Sequence, residues 1–70
     1  MKELFDYIDT RMEYARNAIA YHDRDRYFCQ AFGAVDFFVR TNPSSVGDAA
    51  IAKWEDYWKE FQTLLITADH

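Results

Sequence analysis

The sequence predicts an all-α domain. Three amphipathic helices, over about 2–22, 24–41 and 46–67, form an αα-hairpin plus a third helix, packed in an oligomeric helical bundle. Three observations support this: apolar residues recur at alternating spacings of three and four, glycine and proline are scarce, and the proline present falls between two apolar-periodic segments. With 70 residues, the chain encloses one hydrophobic core and forms one domain.

The first helix is read from Phe5, Ile8, Met12, Ala15, Ile19 and His22. Leu4, Ala18 and the column Tyr7, Tyr14, Tyr21 widen this apolar arc, while Glu3, Asp6, Asp9, Glu13, Arg16 and Asn17 take the other side. From Arg26 to Arg40 the apolar density rises, with Phe28, Ala31, Phe32, Val35, Phe38 and Val39 on one face and Tyr27, Ala34 and Phe37 beside it. That density predicts the most enclosed helix of the three. Continuing the first heptad would bring Arg26, Gly33, Asp36 and Arg40 into the seam, so a reversal is expected near His22–Arg24, with Asp23 as N-cap of the second helix; the alternative is one long helix that uses opposite faces at its two ends.

Thr41-Asn42-Pro43-Ser44-Ser45 ends the second helix, because the residue before a proline is driven out of helical conformation. Ser45-Val46-Gly47-Asp48 has the form of a capping box for the third helix, whose face is Ile51, Trp54, Trp58, Phe61, Leu65 and Ala68. The tail Thr67-Ala68-Asp69-His70 carries no C-cap signal and is expected to fray.

Composition narrows the function. The formal net charge is −4, which argues against direct nucleic-acid binding, since binding to phosphates needs clustered Lys and Arg. No apolar run approaches the ~20 residues of a membrane span, and no basic, then apolar leader opens the chain. With a single cysteine, Cys29, these features point to a cytoplasmic protein. Area bookkeeping places hydrophobic burial at ~110 kcal/mol against ~105 kcal/mol of chain ordering, so a monomer is close to balance. Aromatic residues make up 19% of the chain, more than so small a core covers, which favours a partner subunit.

No catalytic constellation stands out. His22-Asp23-Arg24-Asp25-Arg26 is dense in ionisable groups but has neither the four closed ligands of structural zinc nor the Glu-x-x-His of a di-iron bundle, and reads as a solvated turn. Cys29 has no base placed beside it and reads as an inert thiol. Trp54, Tyr57, Trp58 and Phe61 at helical spacing read as core. No cofactor or metal is expected.

The expected function is that of a non-enzymatic, self-associating protein-protein interaction module, most simply a homodimer. Its interface candidates are Tyr7, Tyr14, Tyr21 and Phe37, at the borders of the apolar arcs. The alternative is an acidic regulator or antagonist that binds a basic protein through the band Glu3, Asp6, Asp9 and Glu13 on the first helix.

Overall fold

The structure is a computed structural model describing residues 1–69. It contains α1 (Lys2–Asn17), α2 (Tyr21–Thr41) and α3 (Ser44–Ile66). His70 lies outside the described residues. The three helices run up, down and up as a rod of 39 × 17 × 16 Å. Contacts across the α1–α2 seam descend along α2, with Arg11 meeting Gln30 and Tyr14 meeting Tyr27, as an antiparallel pair requires. Those between α1 and α3 ascend together, from Phe5 on Tyr57 to Arg16 on Glu60.

The three-four alternation of α1 is borne out by Phe5, Ile8, Met12 and Ala15, all buried. The helix ends at Asn17, however, and not at His22. Ala18 leaves it in extended conformation (φ −78°, ψ 144°), and Ile19, expected on the buried stripe, is 70% exposed. No glycine or proline causes this break. The backbone there is drawn into a parallel bridge with the C-terminal tail: the Asp69 N–H donates to the Ile19 carbonyl at 3.0 Å, and the Tyr21 N–H donates to the Asp69 carbonyl at 2.7 Å. The expected fraying of the tail is therefore corrected as far as Asp69, and Ala68 is buried.

α2 correspondingly begins at Tyr21 with Ala20 as its N-cap, so Asp23 sits inside the first turn and not at the cap. Its carboxylate there still complements the partial positive charge of the helix N-terminus. Arg24, read as part of a solvated turn, is a tie between elements. Its guanidinium donates to the Ala18 carbonyl at 2.7 Å, the Leu64 carbonyl at 2.6 Å and Thr67 Oγ1 at 3.2 Å. It thereby satisfies carbonyls that the end of α3 and the linker leave without helical partners.

The second break lies where Pro43 predicts it, but its chemistry differs. Asn42 is extended, and its Nδ2 donates to the Phe38 carbonyl at 2.8 Å, closing the end of α2. Pro43 is the N-cap of α3; its carbonyl accepts from the Val46 and Gly47 amides at 3.0 and 2.9 Å. Ser45 lies within the helix and no capping box forms, because the proline starts the helix earlier than the serine pattern suggests. Gly47 is buried where α3 crosses α2; a Cβ there would meet Val39 Cγ1 at 3.5 Å, an ordinary contact.

The core joins the α1 stripe to Ala31 and Val35 of α2 and Ala50, Trp54 and Phe61 of α3. Phe28 edges onto Phe61 at 5.4 Å and stacks on Trp54 at 6.0 Å. α2 is not the most enclosed helix: its buried residues are Ala31 and Val35, and Phe32 is 51% exposed. The bundle gives α2 two neighbours, and an apolar arc wider than those neighbours cover leaves its borders in solvent. On α3, Ile51 and Trp58, expected on the inner face, are exposed for the same reason.

Candidate functional site

The four residues expected at an interface are all exposed, at three places along the surface. Tyr7 and Tyr14 lie one above the other on α1 and hold Arg11 between them, its Cζ 5.1 Å from one ring centroid and 4.9 Å from the other. This spacing suits cation–π attraction. Arg11 also donates to Gln30 Oε1 across the seam at 3.2 Å, while its Nε is buried without a hydrogen-bond partner. Tyr14 continues onto Tyr27 of α2, ring centroids 5.5 Å apart. Tyr21 stands at the start of α2, where the tail crosses. Phe37, 69% exposed, lies at the other end and lines a shallow depression with Met1, Leu4, Ala34 and Phe38.

A second apolar surface lies on the α2–α3 side. Phe32, Val35, Val39, Ile51 and Trp54 line a groove of about 230 Å³ in which Asp36 is the charged residue. Phe32 meets Trp54 edge-on at 6.4 Å, and Trp58 is exposed one turn further along α3. Sequence reasoning assigned these side chains to the core because their spacing fits the helical period. Only the angular position of Phe32, one residue past Ala31 on the α3 side, could have signalled exposure.

The acidic band is partly engaged within the fold. Asp9 accepts a hydrogen bond from the Tyr57 hydroxyl at 2.6 Å. Burial, followed by that hydrogen bond and the charge of Asp9, pushes the Tyr57 phenol up to about 12. Arg16 pairs with Glu60 at 2.6 Å, and this hydrogen bond, reinforced by the carboxylates around it, raises the guanidinium above its ordinary value despite some desolvation. Lys53 Nζ lies 4.7 Å from the Phe5 ring centroid. Positive groups therefore interrupt the negative face at the α1–α3 groove, whereas Glu3, Asp6 and Glu13 remain exposed.

Cys29 is an exposed free thiol on the outer side of α2. Among the described residues no three His, Cys, Asp or Glu side chains converge on a position that could hold a metal ion, and no helix is long and apolar enough to cross a membrane. The chain matches no known protein family, characterised protein or solved structure with which it was compared.

Proposed function

We propose that this protein is a non-enzymatic interaction module that associates with a second copy of itself through its aromatic surface. The observation that carries the reading is the exposure of Phe32, Ile51 and Trp58 on the α2–α3 side, and of Phe37 on the side of α2 that meets the start of α1, on a chain whose total accessible surface is 4655 Å². Large apolar side chains exposed on so small a surface favour association, because a partner removes them from water and adds stability to a chain of marginal size. Tyr7, Tyr14 and Tyr21 add exposed side chains that combine an apolar body and a polar tip. A homodimer is the simplest closed assembly that removes such side chains from water.

Sedimentation equilibrium and melting at several concentrations test the reading. The expected result is a dimer at micromolar concentration whose melting temperature rises with concentration; a monomer at about 100 µM with a constant melting temperature would overturn it. The alternative, an acidic regulator that engages a basic protein, is favoured by the exposed Glu3, Asp6 and Glu13 alone. It predicts binding that weakens steeply with salt, which apolar association does not.

A further inference from the structure

On the side of α2 turned away from its neighbours runs a second regular stripe, His22, Arg26, Cys29, Gly33, Asp36 and Arg40, spaced alternately by four and three and exposed throughout. Gly33 lies in the interior of a 21-residue helix, where glycine is disfavoured relative to alanine. A Cβ built at Gly33 would meet nothing within 4 Å. Gly47, by comparison, packs against Val39; among the described residues none uses the bare backbone of Gly33. Its borders carry Phe32 and Phe37, both at least half exposed.

We infer that this stripe is where α2 crosses α2 of a second copy, the two helices running antiparallel about a twofold axis level with Ala31. This inference rests on the self-association proposed above and specifies its geometry. In a seam with four-three spacing, antiparallel pairing sets each position opposite one of the alternate class. The register that places Cys29 opposite Gly33 of the second copy also places Arg26 opposite the second copy's Asp36, and by symmetry does so twice. A parallel pairing would instead stack Arg26 on Arg26 and Asp36 on Asp36.

Within the monomer, Arg26 reaches Asp23 at 3.6 Å and Asp36 meets Arg40 at 3.1 Å, both as exposed pairs. Pairs of that kind hold their partners weakly, so a carboxylate such as Asp36 is free to accept an arginine from a second chain as well. The outermost layer, His22 opposite Arg40, adds no ion pair and lies at the solvent-washed ends. At the centre, Cys29 and Gly33 are small enough for the two backbones to approach closely. Phe32 falls one residue from the axis, so the two copies of this ring come together at the edge of the seam and cover each other.

A charge-swap cycle tests the geometry on residues whose exposure leaves folding intact. Arg26→Asp alone and Asp36→Arg alone each set like charges opposite one another twice and should weaken self-association at least ~10-fold, by sedimentation equilibrium at low salt. The double variant Arg26→Asp/Asp36→Arg should return to within about 3-fold of the unaltered protein. Independently, Gly33→Cys under mild oxidation should give a covalent dimer in which Cys29 is linked to the introduced thiol, identified by peptide mapping. If the unaltered protein dimerises but the single swaps leave its dissociation constant unchanged, or the double variant fails to recover, this geometry is overturned while self-association stands. A Cys29–Cys29 link that forms as readily in the unaltered protein indicates the parallel register and overturns it as well. A monomer at about 100 µM removes both proposals together.

Discussion

α1 and α2 relate apolar content to burial in opposite ways. α1 hides Phe5, Ile8, Met12 and Ala15, a narrow stripe that fits the groove offered by its neighbours. α2 is richer in aromatic residues, yet it buries Ala31 and Val35 and leaves Phe32 and Phe37 outside. The difference shows that enclosure follows the width of arc that the neighbours cover, and not apolar density. A helix with an arc broader than two neighbours span either exposes its borders or acquires a further partner.

The largest expected effect tests that contrast directly. Phe5→Ala removes a buried ring that stacks on Tyr57 at 5.9 Å and should cost ~3–5 kcal/mol in denaturant unfolding. Phe32→Ala, measured on dilute protein, should cost about half as much, ~1.5–2.5 kcal/mol, since half of its surface is already in water. Equal losses would erase the distinction between the helices.

Next in size is Arg24→Ala, expected to cost ~1.5–3 kcal/mol by removing charge-assisted hydrogen bonds to the Ala18 and Leu64 carbonyls. Arg24→Lys should recover little of this, because a single ammonium cannot reproduce the forked guanidinium. Full rescue by lysine would mean that the charge, and not the fork, joins α2 to the other elements.

A smaller effect appears as pH dependence at the α1–α3 contact. The Tyr57 phenol is raised in the folded protein to about 12 from an ordinary value of 10.0. Its contribution is fully present below pH 10 and is lost as pH rises toward about 12, because the unfolded chain gives up the proton first. Tyr57→Phe should flatten this part of the stability profile, and an unchanged slope would dissociate it from the Asp9 hydrogen bond. The smallest effect is expected of Ser45→Ala, within ~0.5 kcal/mol by thermal melting, since Pro43 and not Ser45 caps α3.

Much of the architecture was legible because it is periodic. The Phe5–Ile8–Met12–Ala15 stripe and the Asn42-Pro43 break follow from local rules about helical spacing and proline geometry. The end of α1 does not. It is set by hydrogen bonds from Asp69 and Arg24, whose chain positions have no local relation to Ala18 or Ile19. Exposure of the interface candidates Tyr7, Tyr14, Tyr21 and Phe37 agrees with their border positions, but spacing alone could not separate Phe32 or Trp58 from the true core. A period identifies a face; only the neighbours determine how much of that face is covered.

The bridge between Ala20 and Asp69 makes the fold a nearly closed ring of chain, with the linker after α1 held by the last described residue. Closing this loop brings together the two ends of the α2–α3 hairpin, so the junction has a loop entropy to overcome. In the native ensemble it also defines a cooperative opening unit: releasing the tail frees the Tyr21 amide, strips Arg24 of its acceptor on Thr67 and uncovers Ala68 in one event. The first turn of α2 therefore depends for its protection on the segment that follows α3, and removing that segment would loosen the start of the central helix before it disturbed the end of α3.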